Sequence, residues 1–153
     1  MKPWYLLSTI GTLFILSTAV APAFSFTGEV ITVQDGNTIE VLHNGKTERV
    51  RLQGIDCPDK SQPFGDKARQ ITSDLVFALE VTLEIHGKDK HGRVLADALL
   101  ADGTNVNHTL VKDGWCRWSR KFSPKDTLLE QLETEAREAK RGVWADSDSV
   151  PIK

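Results

Sequence analysis

A chain of 153 residues, 40% hydrophobic and 26% charged, is the size of one domain with one small core. Its formal net charge of −2 excludes a protein that coats polyanions through a uniformly basic surface, so any polyanionic ligand must meet a local cationic patch. No internal repeat or low-complexity stretch divides it.

The chain opens as a different kind of sequence. Lys2 precedes a mostly apolar run from Trp4 to Val20, and Ala21-Pro22-Ala23-Phe24-Ser25 supplies small residues of the signal-peptidase type. The pattern predicts an export leader over 1–25, cleaved after Ala23 or Ser25. The mature protein is then secreted or periplasmic, with no stable membrane association. An uncleaved anchor is the alternative, but the run is near the minimum spanning length and no basic cluster follows it. Loss of the leader leaves 18 basic and 21 acidic side chains, a net charge of −3.

Val30 to Val33 is β-branched and reads as a strand entering an Asp35-Gly36 turn. Thr38 to Leu42 and Thr47 to Leu52 alternate polar and apolar residues around Asn44-Gly45, a pair that tolerates the positive φ of a tight hairpin. Val50 and Leu52 share one face, so Arg51 points to the other. Gly54 to Gln62 is a loop broken by Pro58. Phe64 to Leu79 carries Ala68, Ile71, Leu75, Val76 and Leu79 at helical spacing.

Glu80 to Ile85 reads as a strand, Lys88 to Gly92 as a charged turn, and Arg93 to Leu100 as another strand. A short helix over Val106–Lys112 ends at Gly114. Trp115 to Trp118 is extended. A last helix starts with Ser123 as N-cap and Pro124 at its first position. Its apolar stripe is Leu128, Leu129, Leu132, Ala136 and Ala139, and it stops at Gly142. Three strands, a helix, two strands and two helices predict an α+β fold: a five-stranded barrel with about three helices, of which the OB-fold is an example. The domain runs over 26–146, with a polar tail over 147–153.

Cys57 and Cys116 are the whole cysteine set. In an exported protein such a pair predicts a disulfide, the alternative being two independent buried thiols. The histidines, His43, His86, His91 and His108, show no metal-ligand spacing, and no Ser-His-Asp or Cys-His arrangement is indicated.

Asp56 and Asp59 are hard oxygen donors in one short loop, and Asp35 and Asn37 are further oxygen donors in a turn. Such donors suit calcium or magnesium rather than zinc. Arg51 ends a strand five residues before Asp56, where a guanidinium beside a carboxylate-bound metal can hold a phosphate. Lys88, Lys90 and Arg93 form a second cationic turn. Each piece alone reads equally as an Asp-Gly turn or a solvated surface pair. Their order along the chain is the stronger signal.

In that order the chain resembles the staphylococcal nuclease family. The matching features are Asp35-Gly36-Asn37-Thr38, the hairpin, Arg51-Leu52, Ile55-Asp56-Cys57-Pro58-Asp59, Pro63-Phe64-Gly65 with Ala68, and His91-Gly92-Arg93. Asn105-Val106-Asn107, Leu110-Val111, Gly114-Trp115 and the stretch from Ala136-Arg137 to Gly142-Val143-Trp144 follow. The resemblance implies a monomeric, calcium-dependent phosphodiesterase with an OB-fold. Its substrates would be single- or double-stranded DNA and RNA, cut with little sequence preference to leave 3′-phosphate and 5′-hydroxyl ends.

It further implies that Asn37, Asp56 and the backbone carbonyl of Cys57 hold the metal; Asp35, two residues from Asn37, is a further candidate donor by its place in the turn and not by the resemblance. Asp59 would activate water, and Arg51 and Arg93 would clamp the scissile phosphate. Lys88, Lys90, Arg120 and Phe122 would contact substrate, with Phe122 or Trp118 stacking on a base. Trp115 and Trp144 read as core packing.

Two positions depart from the family. An aspartate is expected where Asn37 stands, and its loss removes a unit of charge from the metal set. A glutamate is expected where Asp59 stands, one methylene longer, and a misplacement of about 1 Å can cost on the order of a hundredfold in rate. The alternative reading is therefore a catalytically weakened OB-fold that binds nucleic acid or another partner. A structural barrel with no nucleic-acid role is the third.

Overall fold

The computed structural model describes Met1 and residues 24–146, so the expected leader, apart from its ends, and the tail over 147–153 lie outside the described residues. Five strands close a barrel: β1 (Ser25–Asp35), β2 (Thr38–His43), β3 (Lys46–Leu52), β5 (Glu80–Lys88) and β6 (Val94–Leu99). They run in the order β1-β2-β3-β6-β5, and β5 returns to β1. A two-stranded pair of β4 (Ile55–Asp56) and β7 (Arg117–Trp118) stands beside it. Three helices complete the molecule: α1 (Gly65–Val76), α2 (Val106–Lys112) and α3 (Thr127–Glu138), followed by a 3₁₀ turn over Gly142–Trp144. This is the expected α+β OB-type barrel.

Alternation fills the barrel. Val30, Ile39, Val41, Val50, Leu52, Leu83, Ala96 and Ala98 are fully buried, and their polar neighbours face outward, as a period of two requires. The β2–β3 turn holds Asn44 at φ 48° and Gly45 at φ 73°, and His43 pairs with Lys46, giving the expected two-residue hairpin.

β1 is longer than the sequence suggested. Its first half pairs with β5 and its second half with β2. Register shifts between Val30 and Thr32 and between Val33 and Asp35 bend it from one neighbour to the other.

Three boundaries differ from expectation. Phe64 has φ 66° and caps α1 rather than starting it. At the other end Phe77 is extended and Ala78 has φ 59°, and the Leu79 carbonyl accepts from Val30 N at 2.9 Å. Leu79 leaves the helix to pair with β1 and is exposed. The last helix is capped by Asp126, whose side chain accepts from Leu129 N, and not by Ser123. The Ser123 carbonyl instead accepts from Trp118 Nε1 at 2.8 Å.

One buried amide ties the parallel seam of the barrel to α2. Asn107 is fully buried, donates to the carbonyls of Gln53 (3.0 Å) and Ala96 (3.2 Å), and accepts from Ala98 N (3.2 Å). Removing it takes the partner from the Gln53 carbonyl and from Ala98 N, each costing about 1–3 kcal/mol when buried, while the Ala96 carbonyl keeps Gln53 N. We expect Asn107→Ala to lose about 3 kcal/mol or more in urea unfolding, far above the typical value of about 1 kcal/mol for a substitution.

Candidate active site

The turn between β1 and β2 is built tightly. The Asp35 carboxylate accepts from Asn37 N at 2.9 Å, and Thr72 of α1 donates its hydroxyl to the Gly36 carbonyl at 2.7 Å. Gly36 is the contact point. A Cβ there would lie 2.6 Å from Cys57 Cβ and 3.1 Å from both Cys57 Sγ and Ala68 Cβ. Cys57 is bonded to Cys116, as expected from the sequence. The disulfide therefore packs directly beneath the turn that carries Asp35 and Asn37.

From that turn the buried Asn37 side chain reaches the next loop, donating Nδ2 to the Ile55 carbonyl at 3.0 Å. Arg51 arrives from the adjacent strand. Its outward face is fixed because Val50 and Leu52 are buried and because β3 pairs in parallel with β6, Arg51 opposite Leu95. The guanidinium donates to the Asp56 carboxylate and to the Ile55 carbonyl. Arg51 is 16% exposed and Asp56 46%, so the pair is partly solvated rather than sealed in the core. Asp35, Asn37, Arg51 and Asp56 are thus brought together.

Arg51 also lines a cleft of about 410 Å³ with Arg93, Lys90, Lys121, Phe122 and Leu95. Asp89 and His91 belong to the same wall. Arg93 donates Nε to Asp89 at 2.7 Å, and Asp89 also accepts from the backbone N–H groups of His91 and Arg93. Partial burial opposes the charge on Asp89, but these hydrogen bonds and the arginine outweigh it and hold the carboxyl below its usual range. The cleft offers four cations against one carboxylate on its wall. The Arg51 guanidinium lies 5.4 Å from the centre of the Phe122 ring and Lys121 Nζ lies 5.3 Å from it. Lys121, Leu95 and Asp89 were not singled out from the sequence. The i,i+4 spacing of Asp89 and Arg93 was the available signal for one of them.

Asp59 is placed differently. Its carboxylate accepts from the Ser61 hydroxyl at 2.6 Å and from Ser61 N at 2.9 Å, and these bonds lower its pKa. The loop folds back hard on α1: a Cβ on Gly65 would lie 1.8 Å from the Asp59 carbonyl oxygen. Asp59 is not among the residues lining the cleft, and neither are Lys88 and Arg120. Arg120 pairs with the buried Glu133 at 3.3 Å and lies over the Trp118 ring. Trp118 is itself in the core and has no face to offer a base. Trp144 is sandwiched between Arg117 and Arg137, at 4.3 and 4.4 Å.

The donor set suits a hard cation in kind. Asp56 presents an exposed carboxylate, and Asn37, having committed its nitrogen to Ile55, keeps its oxygen. Oxygen donors of this sort match calcium or magnesium. Among the described residues no three His, Cys, Asp or Glu side chains converge as a metal cluster, so carbonyl oxygens, water and substrate would complete any coordination sphere.

Two measurements probe this geometry. The disulfide spans 59 residues, and the chain-entropy model gives about 4 kcal/mol for a loop of that size. The double change Cys57→Ser with Cys116→Ser should lose stability of that order in urea. It should also lose activity at temperatures where the variant is still folded, because Gly36 and Cys57 no longer hold the two acidic segments together. Ser61→Ala should raise the pKa of Asp59 toward its ordinary value, read as a shifted carboxyl titration by NMR.

A family model described as staphylococcal nuclease homologue matches residues 49–146. A protein of Escherichia coli described as an uncharacterized endonuclease is 40% identical over 139 residues, covering 91% of this chain and 90% of that protein. A micrococcal nuclease of Shigella flexneri is 35% identical over 153 residues, covering 94% and 87%. The endonuclease YncB of Bacillus subtilis is 34% identical over 128 residues, covering 76% and 60%. The barrel, the arginine-lined cleft and these likenesses agree: the chain belongs to the staphylococcal nuclease family and is a nuclease, a hydrolase acting on nucleic acid.

Proposed function

We propose that this nuclease is an exported, calcium-dependent endonuclease that cuts DNA and RNA with little sequence preference and leaves 3′-phosphate ends. The observation that carries the reading is Arg51, which lines a cationic cleft while its guanidinium joins Asp56 and the Ile55 carbonyl that Asn37 also holds. The cleft reads charge and a ring face, features every nucleotide shares, which supports low sequence preference. The likeness to named endonucleases weighs against the reading of a barrel that only binds.

Arg51 and Arg93 each begin with a carboxylate partner, Asp56 and Asp89. A phosphate entering the cleft competes for those guanidinium groups and finds them already aimed, so little reorganisation is needed as charge develops on its oxygens. Water adds to phosphorus and gives up a proton, the P–O5′ bond breaks, and the 5′ oxygen takes up a proton from solvent water to leave as a hydroxyl. For Asp59 to take the proton from water, its loop must first turn the carboxylate from Ser61 toward the cleft, which it does not line. Its hydrogen bonds to Ser61 make it a weaker base than a free carboxylate, and the charge it carries lasts to lower pH. Calcium held by Asn37 and Asp56 would supply positive charge against the phosphate oxygens.

The structure near the leader favours one cleavage point. Ile85 N donates to the Phe24 carbonyl at 2.9 Å, and Ser25 pairs with Glu84. Cleavage after Ala23 would keep both contacts, whereas cleavage after Ser25 would remove them, which supports a mature start at Phe24 within the proposed export.

Cleavage of single-stranded DNA by the mature chain, followed across a calcium titration and with a chelator, tests the reading. Cleavage that rises with calcium and stops with chelator is expected; chelator-insensitive cleavage, or none at millimolar calcium, would overturn it. Arg51→Ala should lower kcat/KM by about a hundredfold or more, the loss typical of a removed transition-state donor. Asn37→Asp has a separate readout. It replaces the donor to the Ile55 carbonyl with an acceptor, so the melting temperature should fall without calcium and recover with it, while calcium binding tightens.

A further inference from the structure

We infer that the substrate strand continues past the cleft into a second, shallower groove, where Lys125 and Leu128 hold a flanking nucleotide. This rests on the reading of the cleft as the phosphate site and extends it along the strand.

The groove lies on the segment from Phe122 to Leu128, and its volume is about 550 Å³. Phe122 belongs to both cavities, so they meet at one ring. Phe122 is 44% exposed and Leu128 46%. Leu128 fits the apolar stripe of α3 by spacing, yet the helix turns it to solvent beside Pro124 and Lys125. Two large apolar side chains half-exposed in one groove give a nucleobase a surface to pack on.

The segment is held in place before any ligand arrives. Gln53 donates to the Phe122 carbonyl at 3.0 Å, Trp118 Nε1 donates to the Ser123 carbonyl, and Phe122 N and Ser123 N both donate to the Ser119 carbonyl. A base stacking there therefore does not have to order the loop first.

Charge selects the occupant. Lys121 and Lys125 are exposed, and among the described residues no carboxylate forms a salt bridge with either. The acid of the groove, Asp126, is committed to capping Leu129 N at 2.9 Å. A strand of nucleic acid offers what this surface lacks: a further phosphate for Lys125 beyond the one held by Arg51, and a ring to pack on Phe122 and Leu128.

The test is binding of fluorescein-labelled single-stranded DNA, a 3-mer and a 12-mer, measured by anisotropy with chelator present so that neither is cut. The protein is the mature chain, compared with Lys125→Ala/Leu128→Ala and with Lys46→Ala, which removes one charge at the distant β2–β3 turn. Both altered groove positions are exposed, and a melt confirms that the variant is folded. The wild type should bind the 12-mer at least tenfold more tightly than the 3-mer. The groove variant should lose most of that preference, and its slope of log affinity against log salt should shrink by about 0.7 for the lost phosphate contact.

Equal losses on both oligonucleotides, no loss on either, or the same loss in Lys46→Ala would overturn the inference while leaving the reading of the cleft standing. Failure of the wild type to bind either oligonucleotide, together with no cleavage when calcium is restored, would overturn both. A groove occupied by a protein partner instead would leave the length preference unchanged.

Discussion

The candidate site depends on the close approach of the Asp35–Thr38 turn to the Cys57–Cys116 disulfide. The turn belongs to the barrel and the disulfide to the loop outside it, and the absence of a side chain on Gly36 lets them touch. Once they are in contact, Asn37 reaches the Ile55 carbonyl and Arg51 reaches Asp56 without either chain bending. Thr72 adds a third point of support from α1. Oxygen donors, guanidinium and cleft are therefore positioned by a rigid tripod of sheet, helix and covalent bridge, which is how a site keeps reacting groups within fractions of an ångström.

Electrostatic balance follows from the same arrangement. Each arginine of the cleft rests on a carboxylate, so the empty site buries no uncompensated charge. The two pairs are partly solvated, where an ion pair contributes at most about 1 kcal/mol. They are weak enough to yield to a phosphate and strong enough to aim the guanidinium groups beforehand. Glu133 plays the opposite part. It is buried, it accepts from Trp118 N, Arg120 and Arg137, and it binds the edge of α3 to β7. Arg120 is thereby drawn toward structure rather than toward the cleft.

Much of the fold was legible where the signal is local. Asn44-Gly45 announced the hairpin and Gly114 the end of α2, because turn and cap chemistry act within a few residues. The first half of β1 was hidden: Ser25 to Gly28 forms a strand by pairing with residues more than fifty positions away. The start of α3 was misread because Ser123-Pro124 is a good local cap, but Trp118 claims the Ser123 carbonyl and moves the start to Asp126. At the site, Arg51 with Asp56 was legible from strand alternation and loop length. The turn of Asp59 toward Ser61 and of Arg120 toward Glu133 was not, since each is a choice among nearby partners that only the packed molecule settles. Lys121 was hidden beside Phe122, whose ring it faces.

The parallel pairing of β3 with β6 has a consequence for when the protein becomes dangerous. Val50 meets Val94 and Arg51 meets Leu95 across more than forty residues of intervening chain. Hairpins such as β2–β3 close small loops and form early, whereas a seam of this kind closes a long one and comes late. The cleft straddles that seam, with Arg51 on one side and Arg93 and Leu95 on the other. A chain with an open barrel has no cleft, so a newly made or partly unfolded copy cannot cut nucleic acid. The capacity to cut therefore waits on a long-range contact and not on the local hairpins.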